Sequence, residues 1–385
     1  MSRGRASFKV QVKPSVMAWA LSSSGWKAED ISQRLGVEPK EIKNWISGKS
    51  SPSLKQLQET AKIVKRPLAV FFLSEPPAEP PLPKDYRVNP DRSGEFDKET
   101  LLAIRRARRL QKVSRDLIED QKGSVDPAVD SVSIGEDPRK CAARQRARFA
   151  MDKDFYKGLR DSYDAFNSLR MLVEGSNVFV FQMRMPTEDA RGFVLTDAFP
   201  AVIVVNSSDQ IEARIFTLVH ELGHVILRKT GIDNPEMALG MSRLDQVERW
   251  CNEFAAEFLL PTELAKEVFQ LDRNTLLEEE TMIRLSKKLK VSKSMLLVRM
   301  KDLRFIEPGE LNTALSDLRS RGIRHKEEGF GGETVDKRVI RERGRKFVEL
   351  VARNVERGSL DYADAIDFLS IKLRDFDRVM AKASQ

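Results

Sequence analysis

Apolar residues recur every three or four positions along most of this chain, and the stretches that break the rhythm divide it. Between residue 15 and about residue 73, short helical patterns alternate with brief turns. Ile31 and Leu35 share one helix face, Gly36 supplies a tight turn, and Ile42 and Trp45 lie on the next helix. Five prolines among the ten residues Ser74–Pro83 exclude a helix and predict an extended spacer. Helical periodicity resumes over 97–120, where Leu101, Ile104, Leu110, Val113 and Leu117 stand among arginines, and again over 137–150 and 160–174. β-Rich runs then replace it at Asn177–Met183, Gly192–Leu195 and Ala201–Asn206. The helix that follows carries Ile215, Leu218, Val219, Leu222 and Val225 at helical spacing, with Gly231 past its end. Further helices are predicted over 243–260, stopped by Pro261, and over 262–305 and 308–320. A glycine-rich loop, His325–Thr334, precedes three helices in the last 50 residues, with Gly358-Ser359 as a break.

These elements predict a mainly α fold with a small β-sheet, of the α+β class. Residues 1–73 form an all-α helix-turn-helix domain, 74–96 a proline-rich linker, 97–306 the domain that holds the sheet, and 307–385 a helical C-terminal region. Composition narrows the setting. With 385 residues, of which 41% are hydrophobic, the chain can bury two or three cores. Two cysteines make no disulfide framework and fit a reducing cytoplasm. No run of about 18 apolar residues is present, so neither a membrane span nor a signal peptide is expected. A net charge of +8 is compatible with a polyanionic partner without requiring one.

Chemistry concentrates at His220-Glu221-Leu222-Gly223-His224, which holds two of the chain's three histidines. Residues four apart on a helix lie one above the other, so two imidazoles at this spacing can hold one zinc ion. Glu221 is then the general base, taking a proton from a metal-activated water and returning it to a leaving amine. A third ligand is needed. His325 is one candidate, and Glu248, Glu253 and Glu257 on the next helix are others. At 100° per residue, Glu248, Cys251 and Asn252 share a face, whereas Glu257 falls opposite Glu248. Glu248 is therefore favoured, with Asn252 supporting the ligands from behind. His325, Tyr156, Tyr163 and Arg243 are candidates for stabilising an oxyanion. The free edge of the strand 201–206 is expected to hold an extended peptide, favouring a protein substrate. The competing reading is a structural or sensory zinc site.

The stretch Ala28–Trp45 has helix-turn-helix spacing. Its second helix would present Pro39, Lys40, Lys43 and Asn44 to a major groove, with Lys49 and Lys55 near backbone phosphates. Glu38 and Glu41 on the same helix oppose a polyanion, and contacts to protein or to a second copy of the chain are the alternative use. A weaker helix-turn-helix pattern at 283–306 is read as a packing element.

Taken together, these residues resemble the ImmA/IrrE family of metallopeptidases, fused to an N-terminal XRE-type helix-turn-helix. The resemblance rests on Phe216–His224, on Glu248–Pro261, on Val291–Ser294 with Arg299-Met300, and on Arg66–Leu73 before the prolines; it covers about residues 20–310. It implies a zincin-like metallopeptidase domain at 97–306, one Zn2+ held by His220, His224 and Glu248, and a helix-turn-helix repressor as protein substrate. DNA is an implied partner and a homodimer a further expectation. Here the helix-turn-helix precedes the peptidase, unlike members that begin with the peptidase. The alternative is a DNA-binding transcriptional regulator, or a toxin–antitoxin or mobile-element component, with a non-catalytic zinc domain.

Overall fold

The computed structural model of the chain describes residues 8–79, 96–121, 123–228, 243–320 and 332–383. It is mainly α-helical with one small sheet. Two compact units divide it, the first comprising Met1–Pro83 and Val88–Arg106 and the second Lys84–Arg87 and Ala107–Gln385. No helix among the described residues is long and apolar enough to cross a membrane.

In the first unit, α1 (Pro14–Ser22), α2 (Ala28–Leu35), α3 (Pro39–Ser47) and α4 (Leu54–Ile63) surround Met17, Ile31, Ile42, Trp45, Leu57 and Phe71. Gly36 ends α2 in the left-handed region at φ 67°, where a side chain would be strained, and Pro39 opens α3 with its preset φ. Ser53 and Gln56 close a reciprocal capping box at the start of α4.

In the second unit, α5 (Lys98–Glu119, whose first residues belong to the first unit), α6 (Pro138–Arg148) and α7 (Ser162–Gly175) precede the strands. The sheet contains β1 (Val178–Met183), β2 (Gly192–Leu195) and β3 (Ala201–Asn206), in the order β1-β3-β2. β1 runs parallel to β3, with Val178 opposite Ala201, and β2 runs antiparallel, with Gly192 opposite Val205. Every residue of β3 is buried, and it pairs with a strand on each side. β3 therefore has no free edge: the expectation that residues 201–206 offer one is overturned, because the sequence marks strands without giving their order. Beyond the sheet lie α8 (Ile211–Arg228), α9 (Arg243–Leu259), α10 (Thr262–Leu271), α11 (Glu279–Leu289), α12 (Lys293–Asp302) and α13 (Pro308–Ser320). Met295, Leu296, Leu297, Arg299 and Met300 of α12, the second helix of the weaker helix-turn-helix pattern, are buried.

The C-terminal region holds α14 (Val335–Arg343), α15 (Arg345–Glu356), α16 (Tyr362–Leu369) and α17 (Phe376–Ala383), four helices where three are expected. Gly344, at φ 80° and ψ 148°, breaks the first of them from the second. That break seats the chain against a buried ion pair. Arg170 bonds Glu174 at 3.0 Å and donates to the carbonyls of Ile340, Arg341 and Val180. A Cβ on Gly344 would collide with Glu174 and lie 2.8 Å from Arg170 Nη2. Phe347 of α15 meanwhile packs edge-on against Phe179 and Phe181 of β1. Gly344→Ala should therefore lower stability by about 2–4 kcal/mol, from a backbone conformation closed to side chains and a disturbed buried pair. Chemical denaturation measures this, and an unchanged midpoint would refute the packing described for this junction.

Candidate metal centre

His220 and His224 lie one turn apart on α8, a helix whose apolar face is set into the core by Ile215, Leu218, Val219, Leu222 and Val225. Their Nε2 atoms are 3.2 Å apart. Glu248, in the second turn of α9, reaches across to both, with Oε2 3.3 Å from His220 Nε2 and Oε1 3.0 Å from His224 Nε2. Each residue thus offers one ligand atom, and these lie within 4.8 Å of one another. Nitrogen and oxygen ligands of a tetrahedral zinc, each at 2.0–2.2 Å, stand about 3.3 Å from one another. The observed spacings match that arrangement, and the donor set is the His₂Glu combination of hydrolytic zinc sites, so the residues fit the ion.

What brings α9 so close is a missing side chain. Gly223 faces Cys251, and a Cβ on it would lie 3.1 Å from Cys251 Sγ and 3.3 Å from its Cβ. A glycine inside an apolar helix costs about 1 kcal/mol relative to alanine, and close approach of the neighbouring helix is its use here. Cys251, one turn from Glu248, is fully buried against Gly223 and beside His224. Asn252, expected behind the ligands, is exposed. Periodicity placed both residues on the face of Glu248; the packing angle of α9 turned Cys251 inward.

The electrostatics follow from burial and crowding. Burial disfavours charge on Glu248, but the His220 and His224 nitrogens beside it outweigh that and hold the carboxyl down at about 2. Burial likewise opposes charge on His224, yet Cys251, Glu248 and Glu221 around it raise its imidazole well above the ordinary histidine value. Burial also pushes the Cys251 thiol up. Without metal, then, these neighbours favour a carboxylate on Glu248 and charge on the His224 imidazole.

Glu221 is buried on the face of α8 turned towards the sheet. Gly192, the first residue of β2, rests against it: a Cβ there would lie 3.8 Å from Glu221 Cγ, 2.5 Å from Thr217 Cγ2 and 2.7 Å from the Val204 carbonyl. The edge strand and the candidate base are therefore neighbours, an approach that the sequence signals only through a glycine inside a strand pattern.

The remaining candidates stand elsewhere. Glu257 accepts hydrogen bonds from Thr262 N at 2.8 Å and Thr262 Oγ1 at 2.7 Å and pairs with the buried Arg299, which also holds the Leu260 carbonyl. It braces the turn at Pro261. Glu253 is half-buried farther along α9. The Tyr156 hydroxyl is buried and donates to Leu259 O at 3.0 Å, and burial pushes its pKa up to about 12. Tyr163 is half-buried in the first turn of α7. His325 and the side chain of Arg243 lie outside the described residues.

Residues 173–301 match the family model of the IrrE N-terminal-like domain, a peptidase family. The match spans the sheet, α8 and α9, and it supports the resemblance to ImmA/IrrE metallopeptidases over this stretch. No curated protein matches the chain.

The purified protein should bind about one zinc per chain. His220→Ala, His224→Ala and Glu248→Ala should each lose it, while Glu257→Ala keeps it. Because the ligands must be deprotonated to bind, uptake near pH 7 should release about one proton, chiefly from His224, and affinity should fall as pH falls. Calorimetry in buffers of different ionisation enthalpy reads the proton count; zero release would contradict the charge state described.

Proposed function

We propose that the chain is a zinc-dependent endopeptidase with Glu221 as general base, and that it regulates transcription by cleaving a helix-turn-helix repressor. The observation that carries the peptidase reading is the convergence of His220, His224 and Glu248 on one point with Glu221 beside them, next to the edge strand β2. Zinc held by the three ligands would polarise a peptide carbonyl and lower the pKa of a water towards about 7. The Glu221 carboxylate accepts a proton from the attacking water and delivers it to the leaving amide nitrogen. Because β2 is the terminal strand of the sheet and pairs with β3 alone among the described residues, an extended peptide can add to its other edge. Such an addition lays the scissile bond alongside Glu221 and favours a protein substrate over a small molecule.

The DNA-binding part of the reading rests on α2 and α3. Pro39, Lys40, Lys43 and Lys49 are exposed and Asn44 is half-buried, so this face is accessible to a partner. Lys43 stands 3.4 Å from Glu29 with both side chains well exposed. A solvent-exposed pair of this kind contributes little and yields readily to a phosphate. A basic overall charge of +8 favours the encounter.

Glu221→Gln should retain zinc and the fold but abolish cleavage of a co-expressed repressor, with a fall in kcat of at least about a hundredfold. Undiminished cleavage by this variant would remove Glu221 from the reaction. Undiminished control of the target genes despite lost cleavage would favour a binding role. For the N-terminal unit, affinity for a promoter fragment should fall steeply between low and high salt. Lys43→Ala together with Asn44→Ala should weaken binding and alter base preference; unchanged affinity and preference would show that α3 is not the reader.

A further inference from the structure

A strand of four residues bonded along one edge is weakly held, yet β2 sits beside the candidate base. Its first residue is wedged: Gly192 leaves no room for a side chain between Val204 and Thr217. Its other end is held by a helix far away in sequence and outside the matched residues 173–301. Gln111 of α5 is buried, and its amide nitrogen lies 3.3, 2.7 and 3.1 Å from the carbonyl oxygens of Leu195, Ala198 and Pro200. Arg115 Nε donates to Phe199 O at 2.6 Å. Arg108 pairs with Asp197, so one face of α5 engages nearly every residue of the connection from β2 to β3.

We propose that Gln111 is a positioning residue for β2, setting the edge strand against α8 at the place where a substrate peptide would pair. The geometry stands on the hydrogen bonds alone; its consequence for substrate binding rests on the peptidase reading. The amide of Gln111 gathers the carbonyls of Leu195, Ala198 and Pro200 at one point, and buried hydrogen bonds of this kind are costly to lose. A helix offers a rigid mount for that amide, as the short irregular connection itself cannot. Removing the donor should therefore loosen β2 without moving the metal ligands, which are carried by α8 and α9.

Gln111→Met keeps length and apolar bulk and removes the donor. Backbone amides 192–196 should then exchange hydrogen about tenfold faster, as expected when one or two net hydrogen bonds are lost, while α8 amides and zinc affinity stay at wild-type values. With fluorescein-labelled casein as probe substrate for the zinc-loaded protein, KM should rise several-fold with kcat nearly unchanged. Unchanged exchange at 192–196, or a rise no greater than that in α8, would overturn the inference, as would a fall in kcat at constant KM. Should Gln111→Met fail to fold, Asp197→Asn, at a partly exposed position, loosens the same connection and should raise exchange at 192–196 to a smaller extent. Should wild-type protein leave casein uncut, the peptidase reading loses support, and the exchange measurement still decides whether Gln111 positions β2.

Discussion

The arrangement depends on how closely α9 can lie on α8. Two imidazoles on one helix leave a metal half-held, and the third donor must come from another helix whose backbone approaches within a side chain's reach. Gly223 permits that approach because Cys251 occupies the space a larger residue would fill. Glu248, one turn before Cys251, then meets both histidines at 3.0 and 3.3 Å. The same contact crowds like and unlike charges in a buried space, which is why the carboxyl is held low and the His224 imidazole high. Such a cluster is expensive without a cation and favourable around one.

The rest of the unit serves to hold that pair of helices against the sheet. Val178 and Val180 of β1 and Ile203 and Val205 of β3 face the core that α7, α8 and α9 build. On the other side, Phe179 and Phe181 meet Phe347 of α15. A sheet covered on both faces needs the C-terminal helices, and a buried Arg170–Glu174 pair fixes where they dock, next to a glycine that no other residue can replace without strain. α5 adds the last constraint through the β2–β3 connection. The elements that surround the matched domain are thus bonded into it, and a boundary drawn at residues 173–301 cuts through buried contacts such as Arg170 to Glu174 and to the Val180 carbonyl.

Much of this was legible in the residues. The helices over 97–120, 137–150 and 160–174 and all three strands lie where periodicity places them, within a residue or two at most ends, because each buries a face whose repeat is local. Less legible were events that depend on distant partners. The 262–305 stretch divides into α10, α11 and α12: the break at the left-handed Lys290 falls inside the helix-turn-helix pattern read at 283–306, whereas the turn at 272–278 between α10 and α11 carries no glycine or proline to mark it. The expected break in the C-terminal region is Gly358-Ser359; the further break at Gly344 gains its reason only from Arg170 and Glu174 beneath it. Strand order was also out of reach: β3 looks equally good as an edge or a centre, and only pairing with both β1 and β2 excludes the former.

The site divides along the same line. Four-residue spacing on one helix places His220 above His224 whatever the remainder of the chain does, and helical rotation separates Glu248 from Glu257 without reference to any partner. Those relations are properties of a single helix and belong to the sequence. That Cys251 and not Asn252 turns towards His224, that Glu257 braces Arg299, and that β2 lies against Glu221 under the hold of Gln111 are relations between elements tens of residues apart. Tertiary structure decided them, because the angle and distance at which two elements pack depend on the shapes of both surfaces, and no local period records the partner.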